Sequence, residues 1–132
     1  INIPLIHIAE ETGKVIKQKG INKVALLGTQ YTMEGDFIKG KLNSEFGIEV
    51  LVPDSDSWKK INEIIYEELF VCKFNDSSKQ FLINAINHIE SIEGIILGCT
   101  ELPLIIKPED TTKILFNTTE IHALAAVDYA LK

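Results

Sequence analysis

Apolar and polar positions along this chain alternate between a helical period and short unbroken apolar runs. From residue 4 to 19, Leu5, Ile8, Ala9, Thr12, Val15 and Ile16 follow the three-and-four spacing of an amphipathic helix, and Gly20 stands where a C-terminal cap belongs. "KVALLG" at 23–28 is a short apolar run closed by glycine, the pattern of a strand buried on both faces of a parallel sheet. Helical spacing returns in "TMEGDFIKGKLNSEFG" through Met33, Phe37, Ile38, Leu42 and Phe46. There Thr32 is the expected N-cap and Gly47 the stop, while Gly35 and Gly40 weaken the helix.

"IEVLVP" at 48–53 is a second strand that Pro53 ends, and "DSDSWKKINEIIYEELF" at 54–70 supplies cap candidates and then apolar positions Trp58, Ile61, Ile64, Ile65 and Leu69. "NDSS" at 75–78 opens another helix with Phe81, Leu82, Ala85, Ile86 and Ile89 on one face. "GIILG" at 94–98 and "KILFN" at 113–117 are the third and fourth strands, and "TTEIHALAAVDYALK" closes the chain as a helix. Strands separated by helices need right-handed parallel crossovers. The expectation is a small doubly wound, flavodoxin-like α/β domain: a four-stranded parallel sheet with helices on both faces.

Such a sheet binds ligands outside the carboxyl ends of its strands. Three loops fall there: "GTQYT" after the first strand, "GCTE" after the third and "NTTE" after the fourth. Their threonines and backbone N–H groups resemble an anion cradle.

The totals narrow the partners. A chain of 132 residues, 45% hydrophobic and 24% charged, has the composition of one globular domain. No apolar run approaches the roughly 18 residues of a membrane span, and the start has no basic region or cleavage site, so a cytoplasmic location is expected. Beginning with Ile rather than Met, the chain is expected to be a processed product or an excised piece of something longer. A net charge of −6, with no basic cluster beyond pairs such as Lys59-Lys60, argues against nucleic acid. The two cysteines, Cys72 and Cys99, have neither the pattern of a disulfide framework nor that of a zinc site, and both read as reduced thiols. No metal is expected.

Cys99 is the residue most open to a chemical role. It follows the third strand between Gly98 and Thr100 in "IILGCTELPLII", residues 95–106. It is either a buried structural thiol or a reactive one whose pKa is lowered by helix N-termini, with the Glu101 carboxylate opposing ionisation. Cys72, in "EELFVCKF", reads as a packing residue. His7, His88 and His122 are scattered singly and read as surface or cap residues, and Glu63, Glu67 and Glu68 as a solvated helix flank.

"IILGCTELPLII" resembles the second cysteine motif of the aspartate/glutamate racemases, the cofactor-independent amino-acid racemases. "KVALLGTQYTMEGDF", "IEVLVPDSDSWKKINEIIYEELF" and "FNTTEIHALAAVDYAL" agree with that family in order and spacing, and "IPLIHIAEET" resembles the segment joining its two halves. "GCTELP", with Glu101 where glutamate racemases have histidine, favours the aspartate branch. The resemblance implies a two-base mechanism without pyridoxal phosphate or other cofactor: one cysteine thiolate removes the α-proton of aspartate or glutamate, and a second thiol reprotonates the opposite face.

By this match Cys99 is one of the two proton-transfer residues. Thr100, Glu101, Thr29 and Lys73 are substrate contacts, Lys73 reaching a side-chain carboxylate. The other catalytic cysteine belongs to an amino-terminal half absent from these residues, and Cys72 matches no catalytic position. The implied organisation is a carboxyl-terminal domain with a joint helix over 1–20, a core over 23–117 and a terminal helix over 118–132 that packs on the absent lobe. The separated domain is expected to be inactive, to expose apolar faces on its first and last helices, and to form a homodimer. Rival readings are glutamate or broad-specificity racemisation, maleate isomerisation, or a non-catalytic carboxylate-binding domain.

Overall fold

The computed structural model describes residues 8–131. Strands β1 (Lys23–Leu27), β2 (Glu49–Leu51), β3 (Gly94–Leu97) and β4 (Ile114–Asn117) form one sheet, parallel throughout, in the order β2-β1-β3-β4. Helices α1 (Ile8–Gln18), α2 (Gln30–Glu34), α3 (Phe37–Phe46), α4 (Ser55–Glu63), α5 (Asp76–Asn87), α6 (Leu102–Ile105) and α7 (Thr118–Ala130) cover it.

The period of two along the strands divides the core. Ala25, Leu27, Ile95 and Leu97 pack with Ile61 of α4 and Leu82 of α5 on one face. Val24, Leu26, Ile96 and Phe116 pack with Ile16 of α1 and Leu42 of α3 on the other. This is the doubly wound arrangement expected from the alternating pattern, and it sets one feature of the site. The chain leaves β1 towards β2 on one side and β3 towards β4 on the other, so the strand order reverses between β1 and β3 and the loops after them diverge from adjacent strand ends, the place where open α/β sheets take ligands.

Several local expectations are corrected. The helix expected from Thr32 to Phe46 is two helices broken at Gly35 and Asp36. Thr29, not Thr32, is the N-cap of α2, its side chain accepting from the Thr32 N–H. Gly47 does end α3, at φ 64°, with its N–H on the carbonyls of Asn43 and Leu42. Asp54 caps α4 by accepting from the Ser57 N–H at 2.9 Å. Beyond Glu63 the α-helix widens into a π-helical turn, Ile64–Glu68, and tightens into a 3₁₀ turn, Leu69–Val71.

Cys72 is not a packing residue. It is exposed and left-handed at φ 59°, where it reverses the chain after the 3₁₀ turn. Glu68 leaves the solvated flank: it is half-buried and hydrogen-bonded. His88 is the C-cap residue of α5, its ring Nδ1 2.7 Å from the Asn84 carbonyl. His7 and the start of the first predicted helix lie outside the described residues.

The two terminal helices differ. Instead of exposing an apolar face, α1 buries Ala9, Thr12, Gly13 and Ile16 and packs on α3 and α7. The contact is close enough that a Cβ on Gly13 would lie 2.5 Å from the Phe46 ring. By contrast, α7 buries only Thr118 among its residues, and Leu124 and Val127 are 61% and 55% exposed.

Candidate functional site

β1 and β3 are neighbours in register, Leu27 beside Leu97, so Gly28 and Gly98 follow side by side. The Gly98 N–H donates to the Leu27 carbonyl at 2.7 Å. A Cβ on Gly98 would lie 2.8 Å from that carbonyl oxygen, closer than real Cβ contacts come, so glycine is required for this approach. The Thr32 side chain packs against both glycines, 3.1 Å from a Cβ on Gly28 and 3.4 Å from one on Gly98. Thr29 and Cys99 therefore leave from adjacent strand ends, and strands in a sheet are about 4.8 Å apart.

Cys99 is a half-buried free thiol packed against the core residues of the α4–α5 face. Burial, the dominant influence, pushes its pKa up by disfavouring the thiolate. The backbone N–H groups of Glu101 and Leu102 point at the sulfur and act in the opposite direction. The Glu101 carboxylate raises the value further, by its charge and by accepting from the thiol. The competition left open by the sequence thus runs towards the thiol, with burial as the leading cause.

Three of the expected site residues, Thr29, Cys99 and Glu101, are half-buried at the carboxyl edge, with Thr100 exposed beside them. Lys73 comes from elsewhere: it is exposed on the loop after the 3₁₀ turn, and that turn packs on α6. The expected anion cradle is largely committed to the fold. The Gln30 N–H donates to Asn62 Oδ1 at 2.8 Å, the Thr32 N–H to Thr29 Oγ1 at 3.4 Å, and the Glu120 N–H to Asn117 Oδ1 at 3.2 Å. The Thr29 and Thr32 hydroxyls lie 3.2 Å apart.

Two residues here were missed. Thr118 is buried and donates its hydroxyl to the Leu97 carbonyl at 3.1 Å; its place in a hydroxyl-rich tract after a strand was the available signal. Asn62, which fixes the loop after β1, carries no signal in its local sequence.

A cavity of about 290 Å³ opens beside this edge, lined by Leu97, Pro103, Ile106, Lys107 and Asn117 among others. A larger groove of about 550 Å³ lies between the end of β2 and helices α4 and α5, with Val52, Asp54, Phe81 and His88 in its walls. Cys99 lines neither of them, so the chemistry rests on the segment after β3 itself and not on a cavity. Among the described residues no helix is long and apolar enough to cross a membrane, and no group of three or more His, Cys, Asp or Glu side chains is placed to hold a metal ion.

Fold and site together define a doubly wound α/β domain with a thiol directly after its third strand, at the carboxyl edge of the sheet. Comparison with known proteins agrees. The Asp/Glu/hydantoin racemase family model matches residues 1–126. A solved structure from Yersinia pestis, described as a candidate Asp/Glu racemase, superposes with a TM-score of 0.93 at 45% identity, over 98% of this chain and 57% of that one. An aspartate racemase homologue from Pyrococcus horikoshii OT3 superposes with a TM-score of 0.90 at 38% identity, over 100% of this chain and 58% of the other. An uncharacterized protein in the pnlA 3' region of Pectobacterium carotovorum is 30% identical over 112 residues, which is 82% of this chain and 71% of that protein. The chain belongs to the Asp/Glu/hydantoin racemase family, and it spans a little over half the length of the two solved relatives.

Proposed function

We propose that this chain is the carboxyl-terminal domain of an amino-acid racemase acting on aspartate, in which Cys99 is one of two proton-transfer residues and an amino-terminal lobe supplies the other. The observation that carries the reading is the half-buried Cys99 thiol directly after β3, beside the end of β1 where the strand order reverses. The share of the solved relatives left uncovered supports a partner lobe.

A racemase of this kind needs one thiolate and one thiol. The thiolate takes the α-proton of the amino acid, leaving a planar carbanion whose charge spreads into the carboxylate, and the thiol delivers its own proton to the opposite face. Each turnover exchanges which sulfur holds the proton. Burial and Glu101 favour the protonated state of Cys99, so it enters as the proton donor. The N–H groups of Glu101 and Leu102 then stabilise the thiolate it becomes. Thr29, Thr100 and Glu101 line the substrate side, and Lys73 faces the side-chain carboxylate.

The test is α-hydrogen exchange of aspartate in deuterated water, followed by NMR on the full-length protein. Cys99→Ser abolishes exchange if the reading holds; undiminished exchange overturns it. The isolated 132 residues carry one of the two bases and are expected to show no racemisation. Running glutamate and maleate in parallel separates the neighbouring reactions.

A further inference from the structure

Away from the strand ends, Glu68 gathers an unusual set of hydrogen bonds. It closes the π-helical turn, and one carboxylate oxygen, Oε1, accepts from Ser78 Oγ at 2.6 Å and from Asn75 Nδ2 at 2.9 Å. Its backbone carbonyl accepts from the Lys73 N–H at 2.8 Å. The loop from Leu69 to Asn75 is therefore tied back to one residue at both main chain and side chain.

These bonds come at the expense of ordinary capping. Asn75 occupies the N-cap position of α5 yet makes no side-chain cap bond; its amide turns to Glu68 instead. Ser78 is buried with its hydroxyl committed to the same oxygen. Lys60 and Lys73 add attraction to the carboxylate, which is held below its usual range chiefly by the Ser78 bond.

The loop so held lies against the candidate site. Its 3₁₀ turn packs on α6, which begins at Leu102 directly after the Cys99–Glu101 segment. Phe74 and Asn75 share a groove with Leu104 and Ile105 of α6.

We infer that Glu68 is a positioning residue: its carboxylate holds the 69–75 loop against α6, so that the Lys73 ammonium is presented to the side-chain carboxylate of an acidic amino acid. This rests on the function proposed above. An amide at position 68 keeps one acceptor oxygen but loses the charge that strengthens both bonds, so the loop and Lys73 lose their fixed placement while the proton-transfer residues do not.

The experiment uses the full-length enzyme with aspartate as probe. Glu68→Gln raises KM about tenfold, equivalent to roughly 1.4 kcal/mol, with kcat within about twofold; Glu68→Asp recovers part of the loss. Lys73→Ala raises KM by itself, and adding Glu68→Gln to it raises KM no further, because both substitutions remove one interaction. KM effects that multiply in the double variant, or a Glu68→Gln enzyme with unchanged KM, overturn the inference. Should Glu68→Gln fail to fold, Ser78→Ala, which removes one donor, enters the same cycle with the same criteria. If Cys99→Ser keeps exchange, the racemase reading falls and this one with it; if Cys99→Ser is inactive while Glu68→Gln is silent, only the positioning role falls.

Discussion

The buried hydroxyl of Thr118 donates to the Leu97 carbonyl at 3.1 Å, tying the first residue of α7 to the last residue of the strand that leads to Cys99. Besides packing on α1, α7 is thereby tied to the end of the strand that leads to Cys99.

Thr118→Val leaves that carbonyl without its partner. The expected cost is roughly 1–3 kcal/mol, read by urea unfolding of the 132-residue chain, and Thr118→Ser restores most of it. Equal stability of the valine and wild-type chains contradicts the anchor.

Gly98→Ala drives a Cβ to 2.8 Å from the Leu27 carbonyl oxygen. The obstacle is backbone in the sheet, which yields less than a side chain would. A loss of about 1–3 kcal/mol is expected, with slower or faster alkylation of Cys99 reporting that the thiol has moved.

Alkylation of Cys99 by iodoacetamide, followed in a Cys72→Ser background, is expected to rise with pH towards a midpoint above that of a free cysteine, because burial and Glu101 both favour the thiol. Glu101→Gln removes the charge and shifts the midpoint down, leaving the burial effect in place. Linkage has a definite sign here. The folded pKa lies above the unfolded one, so this contribution to stability is intact below about pH 8.5 and is lost as pH rises through the folded value.

Glu68 behaves oppositely. Its folded pKa lies below the unfolded one, first through the Ser78 bond, so its contribution is present above about pH 4.3 and disappears as pH falls through the folded value. Glu68→Gln is expected to be less stable than wild type at neutral pH and to converge with it in acid, as measured by thermal unfolding between those limits.

The exposed side chains of α7 give a test of the proposed partner lobe. Leu124 and Val127 are 61% and 55% exposed on a helix of which only Thr118 is buried, and large apolar side chains grouped at a surface mark a site of association. The isolated chain is expected to self-associate in sedimentation velocity. Leu124→Glu with Val127→Glu makes it monomeric, whereas the same pair in the full-length protein lowers its melting temperature. A wild-type chain that stays monomeric at high concentration removes the case for a homodimer through this face.

Parallel strands, their crossovers and the position of Cys99 were legible because each is local. An apolar run of three or four residues closed by glycine reports burial on both faces, as at Val24–Leu27 and Ile95–Leu97. A residue following such a run must lie at the carboxyl edge. The break at Gly35 and Asp36 was only half legible: the glycine warned of a weak helix, but the capping of Thr32 by Thr29 depends on where β1 ends. Cys72 misled because helical spacing runs up to it, and nothing in that spacing signals the π-helical turn that shifts the register before the chain reverses.

By itself the sequence determined the α/β class, the strands and the residue types gathered at their carboxyl ends, since hydrophobic period and turn chemistry act over a few neighbours. Only the tertiary structure decided the strand order that reverses between β1 and β3, the engagement of Thr118, Asn62 and Glu68, and the upward shift of the Cys99 pKa by burial. Those depend on desolvation and on groups distant in the chain, such as Gln30 and Asn62 or Leu97 and Thr118, which no local pattern records.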